Sequence, residues 1–152
     1  MITKVYDLSL IKTKNVKSGE DNGSFIPIYK DLELDIGKIR MVYMTSCLPR
    51  EVKGPHIHKK RNGHLTVLKG DVLFVLEYVV DGEKIYEEVR ISGSNPKLIS
   101  VPANTVNAHV NIGSEEAIVL NLCTGHCWAP DDTDNYSFDN FEKYDIYRWT
   151  QE

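Results

Sequence analysis

Two imidazoles separated by one residue mark where this chain could do chemistry. In Gly54-Pro55-His56-Ile57-His58 the histidines stand at i and i+2. On a β-strand that spacing points both side chains the same way. A neutral imidazole takes and returns a proton near neutral pH, and it is also a common metal ligand. The remaining histidines are His64, His109 and His126, so all five fall between positions 56 and 126. His64 heads an apolar segment, His109 lies in Asn107-Ala108-His109-Val110-Asn111, and His126 closes the run that begins at Ala117. Four histidines spread over three strands could converge inside one barrel. Basic residues gather beside the pair: Arg50, Lys53, Lys59, Lys60 and Arg61. The plainest reading of Lys59-Lys60-Arg61 is a solvated turn.

The elements that must carry these residues read as strands. Lys38 to Ser46 alternates in part, with Ile39, Met41 and Tyr43 on one side. Leu65 to Leu68 and Val72 to Val80 are rich in Val, Leu and Phe around Lys69-Gly70-Asp71. They fit two strands joined by a tight bend, or one strand with a bulge. Asp81-Gly82 is a strong hairpin signal, and Glu83 to Ile91 then alternates. Leu98–Val101, Ala108–Ile112 and Ala117–Cys123 complete the series. Upstream, Leu10 to Gly23 reads as a polar loop, and Ser24 to Tyr29 as a short strand. Asp131 to Asp139 reads as an acidic loop. The aromatic end, Phe141 to Trp149, fits a short helix or a final strand. Many short strands with turn signals between them predict an all-β fold, a jelly roll or barrel.

Composition limits the function. The chain has 152 residues, 41% hydrophobic and 26% charged, ordinary values for one soluble domain. A net charge of −4 argues against a general nucleic-acid-binding surface. No apolar run reaches the roughly 18 residues of a membrane span, and the start lacks a secretory layout. Cys47, Cys123 and Cys127 are three thiols with no disulfide framework, which fits a reduced, cytoplasmic protein.

The segment Gly54-Pro55-His56-Ile57-His58-Lys59-Lys60, followed by Leu65 to Gly70, resembles the first motif of the cupin superfamily. More specifically it is similar to dTDP-4-keto-6-deoxyhexose 3,4-ketoisomerases and dTDP-4-dehydrorhamnose 3,5-epimerases. The ketoisomerase pattern is Arg-Gly-x-His-x-His-Lys-Lys. Here Lys53 stands in place of its Arg, while Gly54, His56, His58, Lys59 and Lys60 match. Arg40 and Tyr43 fall where that family has an Arg and a Tyr. Asp132-Thr133-Asp134 and Asp139 to Tyr144 are similar to its tail. The resemblance implies a cupin-type double-stranded β-helix, a single domain over 1–152 with a core of about 24–128, and a nucleotide-diphosphate-sugar substrate. It also implies a homodimer in which Met1 to Leu10 could be the exchanged strand, with no nucleic-acid or membrane partner.

In chemical terms, His56 is the expected base beside a ketone and His58 the second proton-transfer group, with no cofactor. Arg40, Tyr43 and Lys53 are candidates for diphosphate or enolate contacts. His64, Asn107, His109, Asn121 and His126 complete the candidate substrate-binding set. The epimerases share the base histidine and a Cys-Thr segment like Cys123-Thr124, but they need a Tyr just after it. This chain reads Gly125-His126-Cys127-Trp128, which argues against double epimerisation. Two other readings stand beside this one. Metal-binding cupins resemble the chain in their histidines, and His56, His58, His64 and His109 would suit Zn, Ni, Fe or Cu. A non-catalytic sugar-binding module would keep the pocket without the reaction.

Overall fold

The computed structural model describes residues 3–127 and 135–151. Two five-stranded antiparallel sheets face each other. One has the order β1 (Lys4–Asp7), β9 (Lys97–Val101), β6 (Arg61–Lys69), β11 (Ala117–Gly125), β4 (Ile39–Cys47). The other has the order β12 (Asn135–Ser137), β5 (Val52–His58), β10 (Val106–Asn111), β7 (Asp71–Val80), β8 (Glu83–Ser92). This is the double-sheet jelly roll that the strand texture predicts, of the cupin type that the resemblance implies. Among the described residues no helix is long and apolar enough to cross a membrane.

The core lies between the sheets and fills one end of the barrel. β7 and β8 supply Val72, Phe74, Leu76, Val89 and Ile91, packed on Val67, Ile99, Ala117 and Val119 of the facing sheet. The alternate β7 residues, Leu73 and Val75, point outward and are buried by Phe141 and Ile146 of the C-terminal segment. Both faces of β7 are therefore covered, which explains its near-continuous apolar run. The segment ends in a 3-10 helix, Ile146–Thr150, the helical one of the two expectations.

The tight bend at 69–71 is real, but β6 and β7 do not pair. The chain crosses there from one sheet to the other. The Asp81-Gly82 hairpin forms as expected, with both residues at positive φ, 50° and 79°. Two expectations change upstream. Leu10 to Gly23 is not a loop throughout: β2 (Ile11–Lys14) and β3 (Asp21–Phe25) form a separate two-stranded sheet. Its residues are mostly exposed on both faces, so no apolar alternation announced it. The strand expected over 24–29 ends at Phe25. β1 pairs with β9 of its own chain, Lys4 opposite Ser100 and Asp7 opposite Lys97. Three of the residues expected as an acidic loop, Asn135–Ser137, form β12 against β5. Asp132-Thr133-Asp134 lies outside the described residues.

Candidate active site

The other end of the barrel is open and holds a cavity of about 360 Å³. β5 brings His56, His58 and Lys53 to it, and β10 brings Asn107 and His109. Tyr43 and Thr45 come from β4, and Asn121 from β11. His56 and His58 share a face as their spacing requires, with ring centroids 4.8 Å apart. Lys53, three residues before His56, should point away on a regular strand. It does not, because Asn107 pairs with His56 while His109 pairs with Lys53, which leaves one extra residue on β5. Gly54 sits inside that bulge at φ 90°, a conformation that favours glycine. A Cβ there would lie 2.7 Å from His56 Nδ1 and 2.9 Å from the Asn107 carbonyl oxygen.

The polar groups of the cavity are held in place. Lys53 Nζ donates to Thr45 Oγ1 at 2.9 Å. Asn121 Oδ1 accepts from the His64 backbone N–H at 3.0 Å, and its Nδ2 donates to the Tyr43 hydroxyl at 2.8 Å. The backbone N–H thus fixes which way the amide points. Arg61 Nη2 donates to His58 Nε2 at 3.0 Å, and its guanidinium carbon lies 5.9 Å from the Tyr43 ring centre. His109 is 5% exposed, and its Nε2 has no hydrogen-bond partner among the described residues. Burial pushes the His56 imidazole down from 6.5 to about 4, helped by His58 and Arg61. It pushes His109 to about 3, helped by His56 and Lys53. Both rings are neutral at neutral pH. No carboxylate is among the described residues lining the cavity, which presents three imidazoles and two cations.

A stability prediction follows from the two lowered values. The folded protein binds these protons less readily than the unfolded chain, so between about 6.5 and 3 the unfolded state holds more of them. Stability is therefore complete above 6.5 and is lost as pH falls through that window. Between about pH 7.5 and about pH 5.5, each histidine should cost roughly 1 kcal/mol. Urea midpoints at the two pH values measure this, and equal midpoints would contradict the burial of both rings.

Three expected residues lie elsewhere. His64 is on the opposite face of β6 from Gly63 and Leu65. Its Nδ1 meets Ser100 Oγ at 2.8 Å and its Nε2 meets Thr124 Oγ1 at 3.2 Å, beside a separate cavity. Arg40 is exposed, the unmatched residue of a β4 bulge whose neighbours Ile39 and Met41 pair with Thr124 and Cys123. His126 is exposed just after β11 ends at Gly125. The four-histidine metal set therefore does not fit, since His64 turns away from the other three. Among the described residues, no three His, Cys, Asp or Glu side chains are grouped as a metal site. Conversely, Arg61 was read as part of a solvated turn and instead lines the cavity. The signal was its register: Arg61, Gly63 and Leu65 are spaced to share one face of β6.

The profile of the polysaccharide biosynthesis C-terminal domain family matches residues 19–136. The chain belongs to this family. No curated protein matches its sequence. Among solved structures, this family member resembles a dTDP sugar isomerase from Desulfovibrio desulfuricans G20, at 17% identity and TM-score 0.75, covering 90% of this chain and 83% of that one. It also resembles QdtA, a sugar 3,4-ketoisomerase from Thermoanaerobacterium thermosaccharolyticum in complex with TDP, at 18% identity and TM-score 0.65, covering 90% and 89%. CapF, a capsular polysaccharide assembling protein of Staphylococcus aureus, matches at 21% identity and TM-score 0.57, over 85% of this chain but 34% of CapF. This chain therefore spans about a third of CapF. At these identities the likeness is one of fold.

Proposed function

We propose that the cavity isomerises nucleotide-linked 4-keto-6-deoxy sugars by moving a proton beside the ketone, in the manner of a 3,4-ketoisomerase. The observation that carries this reading is the convergence of paired imidazoles with two cations and no described carboxylate. The cations suit a diphosphate, and the imidazoles suit proton transfer. The fold shared with a 3,4-ketoisomerase and the family's link to polysaccharide biosynthesis both support it.

A ketone acidifies the adjacent C–H. His56, neutral in its buried setting, takes that proton. The enolate oxygen then needs donors, and the Lys53 ammonium and Tyr43 hydroxyl face the same space. His58, 4.8 Å from His56 ring to ring, is placed to deliver a proton to the former carbonyl carbon, while the enolate oxygen takes up a proton and the hydroxyl on the deprotonated carbon gives one up, so that the ketone moves by one carbon. No step runs through a metal.

The test is incubation with such a substrate in deuterated water. One deuterium with a moved keto group supports isomerisation. Two deuteriums with the keto group unmoved would instead indicate double epimerisation, and no exchange with binding retained would indicate a binding module. The pH profile adds a second check. Because kcat/KM reports groups of the free enzyme, its acid limb should fall near 4. A limb at the ordinary imidazole value would remove the buried His56 from the role of base.

A further inference from the structure

We propose that Asn121 is a positioning residue whose amide holds the Tyr43 hydroxyl as a donor toward the ligand. The inference rests on the ketone-bearing substrate of the proposed function and adds how the enolate oxygen is served. β11 lies between β6 and β4, so one side chain on it reaches both neighbours. The His64 backbone N–H can only donate, so the Asn121 atom 3.0 Å from it is the acceptor, Oδ1. The other end of the amide is then the NH2 group, which donates to the Tyr43 oxygen at 2.8 Å. Tyr43 therefore does not spend its own proton in that bond.

That proton is present at neutral pH, because burial raises the phenol above its ordinary value. Among the described residues, no nitrogen or oxygen accepts it. The Cys123 sulfur lies beside the hydroxyl, but sulfur is a weak acceptor. Tyr43 and Asn121 both line the cavity, so a developing enolate oxygen is the stronger claimant. A phenol held this way can give its proton to that oxygen. The phenolate left behind keeps the Asn121 N–H and has the Arg61 guanidinium 5.9 Å from its ring centre. The hydroxyl on the deprotonated carbon of the substrate then returns a proton, and Tyr43 ends as it began. The amide orientation, fixed by a backbone group on β6, thus sets the direction of a hydrogen bond in the cavity.

Asn121→Asp tests this, because it keeps an acceptor for the His64 N–H but presents an oxygen to Tyr43. The Tyr43 bond then survives with its direction reversed. The kcat for isomerisation should fall on the order of a hundredfold, with KM little changed. In a Tyr43→Phe background the same substitution should cost nothing further. NMR of the Asn121 side-chain amide reads the orientation without substrate. The amide proton donated to Tyr43 should move upfield in Tyr43→Phe, while the His64 backbone amide proton stays in place. Should Asn121→Asp not fold, Tyr43→Phe alone carries the test, by that amide shift and a similar fall in kcat. An Asn121 amide unmoved by Tyr43→Phe, an unchanged kcat, or an equal loss from Asn121→Asp with and without the Tyr43 hydroxyl would each overturn the proposal. Absence of deuterium wash-in with the unsubstituted protein would instead count against the proposed reaction, and the amide shift would still decide how Tyr43 is held.

Discussion

His56→Ala should lower deuterium wash-in from solvent into a nucleotide-linked 4-keto-6-deoxy sugar by roughly 10² to 10⁴. That corresponds to about 3–5 kcal/mol of barrier. No carboxylate among the described residues lines the cavity to replace it as base. His58 is a poor substitute, because in the proposed reaction it serves the neighbouring carbon, its ring centre 4.8 Å from that of His56. Binding of the nucleotide diphosphate should survive, since Lys53 and Arg61 remain. Calorimetry with the diphosphate and mass-spectrometric wash-in on the same preparation separate the two effects. Turnover at the unsubstituted rate would remove His56 from the role of base, and loss of binding together with exchange would point to a collapsed cavity.

The second large effect belongs to a residue without a side chain. Gly54→Ala places a Cβ 2.7 Å from His56 Nδ1 and 2.9 Å from the Asn107 carbonyl oxygen, at φ 90°. The backbone conformation alone should cost about 1–3 kcal/mol. The contact on the ring should also shift His56, and a displacement of about 1 Å can cost on the order of a hundredfold in rate. Gly82→Ala is the control. Its φ is 79°, with nothing within 4 Å of the added Cβ, so it should lose stability while keeping activity. Denaturant midpoints and wash-in rates for both variants decide the matter. If Gly54→Ala matched Gly82→Ala in both, the bulge would not be what places His56.

Most of this architecture could be read from the sequence because it depends on local signals. The His56–His58 spacing, the Asp81-Gly82 turn and the alternation of β8 each state their own geometry. The residues that escaped were misplaced by strand parity or by the one break in it at Gly54. Arg40 and Tyr43 are three apart on β4, so alternation puts Arg40 on the outer, exposed face, and only the family resemblance set both in the site. Lys53 and His56 are also three apart, yet the bulge at Gly54 brings both into the cavity. His64 looked like a fourth ligand because it stands near a ligand position of metal-binding cupins. Its parity on β6 sends it to the other face, where two hydroxyls meet its ring. Arg61 was hidden by its company, since two exposed lysines precede it.

The order of strands in the first sheet also bears on how the site comes into being. In β1-β9-β6-β11-β4 no two neighbours are consecutive in the chain. Tyr43 meets Asn121, and Lys4 meets Ser100. Every such pairing closes a long loop before any contact repays the lost chain entropy. The β7–β8 hairpin, joined by a two-residue turn, has no such barrier and can form within microseconds. The hairpin, with Val72, Phe74, Leu76, Val89 and Ile91 of the core, can therefore form locally, whereas Tyr43, Arg61 and Asn121 take their places only as the long-range pairings close. A partly folded chain would hold a hairpin and an apolar cluster before it held a catalyst.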